Sequence, residues 1–203
     1  MFAGKRGGPR REMLVTMNVQ EIYDRCGAEF ATRVHAIDGG WDRPTELPGW
    51  SVRDLVHHLV YEERWTPPML AGATMAEVGD RFEGDLLGGD PVAAFDEAAA
   101  DALAAVRTDG VLERTVHLSF GDHPGLEYVM QLSADHLVHA VDLTRGLGTD
   151  ETLAVDVTES VLAWFEPMED MYREYGVIGP RVEWHSGAGA QARLLGMMGR
   201  RPV

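Results

Sequence analysis

The sequence predicts an all-α protein: a four-helix bundle with a long crossover connection and a C-terminal helical appendage. Apolar residues recur at steps of three and four along four long segments, the spacing of a helix with one buried face. The longest link, Gly72 to Asp90, is rich in Gly and acidic residues and lies between the second and third segments. Strand-like alternation occupies one short stretch, Glu113 to His123. A bundle with one long connection accounts for all three observations.

The first helix is expected to begin after Asn18, whose side chain suits an N-cap, with Glu21 three residues further on. Its core-facing residues include Cys26, which is therefore interpreted as a small core residue and not as a nucleophile. The pair Gly39-Gly40 is expected to end this helix.

The second helix is expected to begin at Ser51, with Asp54 at its third position. The loop before it, Trp41 to Trp50, contains two prolines and is expected to be extended. The helix is predicted to end near Trp65, because Pro67-Pro68 lacks two backbone donors and breaks the helical hydrogen-bond pattern.

Five further elements are predicted along the rest of the chain. They are a third helix from Pro91 to Arg107, a short hairpin or extended crossover from Glu113 to His123, a central helix from Leu126 to Leu147, a fifth helix from Thr152 to Tyr175 that is interrupted or kinked at Pro167, and a short amphipathic helix from Ala190 to Met198. The hairpin histidines His117 and His123 are interpreted as solvated side chains.

These elements divide the chain into three parts. Residues 1–15 form a basic, Gly-rich N-terminus that is expected to be disordered. Residues 16–175 form the helical bundle, and residues 176–203 form a tail with the short amphipathic helix. A chain of 203 residues is long enough to bury a substantial core.

Composition restricts the classes of partner. The net charge of -15 argues against nucleic acid and anionic membranes, both of which attract basic patches. A single cysteine excludes an internal disulfide framework, and no apolar run approaches the length of a membrane span. With no signal peptide in the sequence, the expected location is the cytoplasm, and the expected assembly is a monomer or a homodimer.

The central helix carries two polar residues on an apolar face. Asp135 and His139 are four residues apart and share that face with Leu132 and Leu143. A carboxylate and an imidazole on such a face each need a partner, because burying them unpaired is costly. A divalent metal ion is one such partner.

The second helix offers a third ligand. His57 and His58 are adjacent, so their side chains diverge by about 100° and only one of them can point into the core. By this count the inward residue is His58. Two imidazoles and one carboxylate form a catalytic-type zinc site with an open position, and the same set suits nickel or iron. His57 and His136 remain alternatives, since His136 and His139 are also neighbours on the helix.

Two separated motifs resemble a known family. The stretch Leu47 to Leu59 (LPGWSVRDLVHHL) is similar to the opening motif of the mycothiol-dependent maleylpyruvate isomerase family, within the DinB/YfiT-like superfamily. The stretch Asp135 to Leu143 (DHLVHAVDL) is similar to that family's second motif. The C-terminal stretch Arg193 to Pro202 resembles the ending of an uncharacterised actinobacterial branch.

The resemblance implies a four-helix bundle with a divalent metal, usually zinc, held here by His58, Asp135 and His139. Family members include transferases and isomerases that use a low-molecular-weight thiol such as mycothiol, glutathione or bacillithiol. This sequence departs from the pattern in having Asp135 where Glu is usual and Val141 where an aromatic residue is usual. The maleylpyruvate isomerases also carry a separate C-terminal domain, so that particular activity is not expected here.

Two hypotheses about function follow. In the first, the bundle is a thiol-dependent transferase or isomerase-like enzyme whose metal activates an exogenous thiol as a thiolate towards a small electrophile. In the second, it is a non-catalytic binding or regulatory protein with a structural or vestigial metal site. A pocket filled by Trp65 or the C-terminal segment would favour the second.

Two carboxylates near the predicted site have alternative interpretations. Asp142 lies three residues after His139, where it could orient that imidazole or instead pair with Arg145 on the surface. Glu62 lies one turn after His58, where it could serve as a base near the metal or lie in solvent.

Overall fold

A computed structural model describes residues 17–203, and the predicted disordered N-terminus, residues 1–15, lies outside them. The helices are α1 (Val19–His35), α2 (Val52–Leu70), α3 (Met75–Val78), α4 (Pro91–Val106), α5 (Gly125–Leu147), α6 (Val155–Phe165), α7 (Glu169–Glu174) and α8 (Ala190–Met197), and the strands are β1 (Thr115–Leu118) and β2 (Gly121–Pro124). The predicted all-α class is confirmed: one small antiparallel hairpin is the only sheet in residues 17–203.

Four long helices form the bundle. Helix α1 packs along α5, α2 packs along α4, and further contacts join α2 to α5 and α1 to α4. The core between them is apolar and includes Phe30, Leu55, Phe95 and Leu137, each almost fully buried. The long link between α2 and α4 holds the short helix α3, which the sequence analysis did not predict. This arrangement places the middle of α2 against the middle of α5.

The predicted starts of α1 and α2 are confirmed, whereas the fifth helix begins at Val155 and not near Thr152. The Asn18 side chain accepts a hydrogen bond from the Glu21 backbone at 2.8 Å. Ser51 and Asp54 form a reciprocal capping box at the start of α2. Asp90 caps α4 by accepting from the backbone of Ala93. Such caps satisfy the free N–H groups of a first turn and so fix where each helix begins.

The predicted end of α2 is wrong. The helix does not break at Pro67-Pro68 but runs through both prolines to Leu70. The prolines remove two backbone donors, yet Met69 and Leu70 bury their side chains in the next turn. The Ala71 backbone N–H closes that turn by donating to the Pro67 carbonyl at 3.0 Å. Burial of two large apolar side chains therefore outweighs the local preference of proline.

Helix α1 also ends earlier in the sequence than the predicted end at Gly39-Gly40. The helix ends at His35, and the following two residues, Ala36 and Ile37, donate to carbonyls only three residues back. This tighter hydrogen bonding closes the last turn before Gly39-Gly40 is reached.

The predicted fifth helix is interrupted at Pro167 and forms two separate helices. Helix α6 ends at Phe165, a 3-10 turn carries the proline, and α7 follows. Helix α8 packs back on α6, and its residues Leu194 and Leu195 are fully buried in the same core as the bundle. None of the helices in residues 17–203 combines the length and hydropathy of a membrane span.

Candidate metal centre

The three predicted ligands come together where α2 crosses α5. His58 projects from the second turn of α2, while Asp135 and His139 are stacked one turn apart on α5. One ligand atom from each residue lies within 4.8 Å of the other two. His57 and His136 are not part of this group.

The candidate ligand atoms converge on one space between α2 and α5. Asp135 Oδ2 lies 3.1 Å from His58 Nε2, and Asp135 Oδ1 lies 3.3 Å from His139 Nε2. In a tetrahedral zinc site with bonds of about 2.0–2.1 Å, neighbouring ligand atoms lie about 3.3 Å apart. The shorter Asp135 side chain therefore reaches both imidazoles, and the three residues fit a divalent metal with one position left open.

The charges at the site favour a bound cation. Partial burial opposes ionisation of Asp135, but His139 and His58 hold the pKa of that carboxyl well below its ordinary value of 3.8. Burial alone would lower the pKa of His139, yet Asp135 and Asp142 raise it from 6.5 to about 9. The protein thus stabilises a positive charge between these side chains. A metal ion would take the place of the imidazole proton that faces Asp135.

Asp142 fixes the orientation of His139. Its Oδ2 accepts from His139 Nδ1 at 2.9 Å, and this leaves His139 Nε2 directed at the site. Asp142 is 1% exposed and also accepts from Arg200 Nη2 at 3.1 Å. The alternative surface pair with Arg145 does not form, because Arg145 bonds to Glu151 instead.

Trp50 packs against both imidazoles. Its ring lies edge-on to His58 at a centroid distance of 5.2 Å and stacks on His139 at 6.3 Å. The loop that carries it is closed by a backbone hydrogen bond from Thr45 to the Trp50 carbonyl. The motif Leu47 to Leu59 thus supplies one candidate ligand, His58, and the Trp50 ring that packs against both imidazoles.

The two other candidate histidines have separate partners. His57 Nε2 lies 2.8 Å from the Gly84 carbonyl, on the outer side of α2. His136 is 1% exposed and its Nε2 lies 2.5 Å from Glu63 Oε1. Tyr23 donates to the other oxygen of Glu63 at 2.5 Å. This buried polar network was not predicted, although Glu63 and His136 both interrupt apolar helix faces in the sequence.

A cavity of about 460 Å³ opens above the three ligands. Its wall includes Glu62 beside the centre, Trp65 from α2, and Tyr172 and Arg200 from the C-terminal part of the chain. Trp65 and the C-terminal segment therefore enclose the space without filling it. Burial, reinforced by the charge of Asp135, raises the pKa of Glu62 from 4.5 to about 7. Glu62 is half-buried and lines the cavity next to the candidate centre, so it does not lie fully in solvent.

The fold and the site together define a class: a helical bundle in which two histidines and a carboxylate could hold a metal ion beneath an open cavity. Residues 23–144 match the family model described as the mycothiol maleylpyruvate isomerase N-terminal domain, and the chain belongs to that family. The match spans all three candidate ligands and Asp142, and it ends before Arg200. Comparisons with curated proteins and with solved structures find no match.

Proposed function

We propose that this protein is a divalent-metal enzyme that transfers a low-molecular-weight thiol to a small electrophile in the cavity above His58, Asp135 and His139. The observation that carries the proposal is the open cavity above three convergent ligand atoms. A purely structural site would be closed by a fourth protein ligand, whereas catalytic sites keep a position for water or substrate. Zinc is the first choice of metal, with nickel and iron as alternatives.

The thiol must come from outside the chain. Cys26 is fully buried in α1, and burial raises the pKa of its thiol, so it supplies no thiolate to the cavity. Mycothiol is the candidate cosubstrate that the family description names, and glutathione and bacillithiol are the alternatives to test. When bound, a divalent metal would supply Lewis acidity that stabilises the thiolate form of such a thiol.

Glu62 is the residue we propose as proton acceptor. It lines the cavity one helical turn after His58, and the other carboxylate on the wall, Asp135, is engaged by the two imidazoles. For addition to an activated alkene, Glu62 takes the thiol proton and the sulfur forms the new carbon–sulfur bond. The alkene electron pair moves to the neighbouring carbon, which then receives the proton from Glu62.

Metal content and thiol consumption test this proposal. We expect about one zinc per chain after purification without chelator, and loss of that metal in His139→Ala. The matched control is His57→Ala, which removes an imidazole from the outer side of the same bundle and should keep the metal.

The proposed thiol transfer is tested with a panel of electrophiles and each of the three thiols. Thiol consumption should exceed that of metal-stripped protein and should fall by at least about 100-fold in Glu62→Gln. Full metal occupancy without any excess thiol consumption would instead identify a non-catalytic binding or regulatory bundle.

A further inference from the structure

We propose that the electrophile taken by this site is an uncharged molecule with an aromatic body, an inference that rests on the proposed function. The cavity has two unlike ends. The polar end consists of the candidate metal centre with Glu62 and Arg200, and most of the remaining wall is aromatic or aliphatic. A ligand that fills the cavity therefore needs its reactive group at one end and an apolar body at the other.

Two groups of aromatic rings form the apolar end, and both are held in place by their neighbours. On the α2 side, Trp65 packs against Tyr61 at a centroid distance of 5.9 Å and against Phe82 at 6.1 Å. On the α6 side, Phe165 stacks on Tyr172 at 5.6 Å. Rings fixed in this way present faces and edges that favour a flat aromatic ligand.

Glu127 directs the polar ends of two further wall groups away from the cavity. It accepts from Tyr172 Oη at 2.6 Å and from Trp164 Nε1 at 3.3 Å. The polar atoms of these side chains are therefore already satisfied, and what they offer to a ligand is ring surface. These two side chains therefore contribute apolar contact surface to the wall.

The charges on the wall disfavour an anionic substrate. Among the described residues, Arg200 is the only Lys or Arg side chain that lines the cavity. Its guanidinium is already engaged by Asp142 at 3.1 Å and by the Met198 carbonyl at 2.9 Å. Away from the candidate metal centre, a carboxylate on the substrate would therefore find no free cationic side chain among the described residues of the wall.

The cavity opens to solvent through apolar residues. Met75 on α3 and Val177 after α7 both line the cavity and are 42% and 57% exposed. An apolar ligand would meet matching surface from the opening to the metal centre. The volume of about 460 Å³ lies within the range of small-molecule sites, roughly 300–1,000 Å³.

A matched pair of enones tests the inference. Benzylideneacetone and 4-oxopent-2-enoate share the reacting enone and differ in carrying a phenyl ring or a carboxylate. With the same thiol, kcat/KM divided by the uncatalysed rate constant should favour benzylideneacetone by at least about tenfold, because its ring is buried against apolar surface. Equal values, or a preference for the carboxylate, would overturn the proposed substrate class while leaving thiol transfer established.

A pair of valine variants tests whether the cavity wall sets this preference. Val177→Arg places a cation at the cavity opening and should reduce the preference for the phenyl compound at least about threefold. Val155→Arg is the control, since Val155 is 67% exposed and does not line the cavity. The same response in both variants would contradict the assignment of this cavity as the binding site.

Binding of unreactive analogues separates this inference from the chemistry. The saturated ketones 4-phenylbutan-2-one and 4-oxopentanoate cannot undergo the addition, and their binding is measured by quenching of tryptophan fluorescence in metal-loaded protein. We expect at least about tenfold tighter binding of the phenyl ketone. Tighter binding of the phenyl ketone, in a protein that adds no thiol to the enones, would contradict the proposed function but support the inferred ligand class. If the phenyl ketone binds no more tightly than 4-oxopentanoate, the inferred substrate class is wrong.

Discussion

Asp135 connects the two histidines through both of its carboxylate oxygens. Each oxygen faces a different imidazole, at 3.1 Å and 3.3 Å, so a single short side chain completes the group. The longer Glu that is usual in the family would bring its carboxyl one methylene further from the α5 backbone. Here the spacing of α2 and α5 matches the shorter acid, and the substitution does not open a gap in the candidate centre.

Asp142 should act as a positioning residue through His139. The change Asp142→Asn keeps the shape of the side chain but removes the charge that stabilises the His139 Nδ1 proton and pairs with Arg200. Loss of such an outer partner typically weakens metal binding about 10–100-fold. We expect a weakening in this range, measured as the zinc Kd by competition with a chromophoric chelator.

A second carboxylate–histidine pair in the chain provides the control for that variant. Asp122 contacts His117 Nδ1 at 2.7 Å on the exposed hairpin, away from the candidate ligands. Asp122→Asn should leave the zinc Kd unchanged. An equal Kd in Asp142→Asn and the wild type, with both proteins folded by circular dichroism, would show that Asp142 has no positioning role.

The sequence allowed the candidate ligands to be predicted because helical spacing fixes which side chains share a face. His58, Asp135 and His139 each follow from that periodicity, and so does the place of Asp142 beside His139. Arg200 could not be predicted, because it is 58 residues from Asp142 in sequence and no local pattern spans that distance. Its position depends on how the C-terminal segment packs.

At the scale of elements, the capped helix starts were predictable, whereas the ends of α1 and α2 were not. Caps at Asn18 and Ser51 are local interactions between residues three positions apart, so the sequence contains them in full. The end of α2 depends on burial of Met69 and Leu70 beyond two prolines, which only the assembled fold provides. Local propensity therefore failed where tertiary packing supplied the larger free energy.

Glu169 on α7 should anchor the C-terminal segment in a pH-dependent way. Arg181 foremost, with Arg173, holds the pKa of Glu169 below its ordinary value of 4.5 in spite of burial. A lowered folded-state pKa stabilises the protein above about pH 4.5, and that stability is lost as the pH falls through the folded-state value. Glu169→Gln should lower the free energy of unfolding at pH 7 by about 1–3 kcal/mol and flatten its decline in acid.

Urea unfolding at pH 7 and pH 4 measures both effects for Glu169→Gln. The matched control is Glu174→Gln, an exposed position on the same helix that should leave the unfolding free energy within about 0.5 kcal/mol of the wild type. If Glu169→Gln loses stability in acid as steeply as the wild type, the ion pairs around Glu169 do not control this dependence.

At the scale of the whole molecule, one core unites the family region with the C-terminal segment. Leu194 and Leu195 of α8 are buried in the same cluster as Phe30 and Leu137 of the bundle. The segment beyond the family match also supplies Arg200 and part of the cavity wall. The metal centre, its cavity and the C-terminal helices should therefore unfold together in one cooperative transition.

Zinc binding should stabilise that single transition, because the ligands come from two helices that meet only in the folded chain. A ligand that binds only the folded state stabilises it by about 2.7 kcal/mol when its concentration is 100 times Kd. For a chain of this size, each kcal/mol raises Tm by about 2–4 °C, so we expect an increase of about 5–11 °C by differential scanning calorimetry. His139→Ala should lose this increase and His57→Ala should keep it. A similar increase in both variants would show that zinc stabilises the protein somewhere other than between α2 and α5.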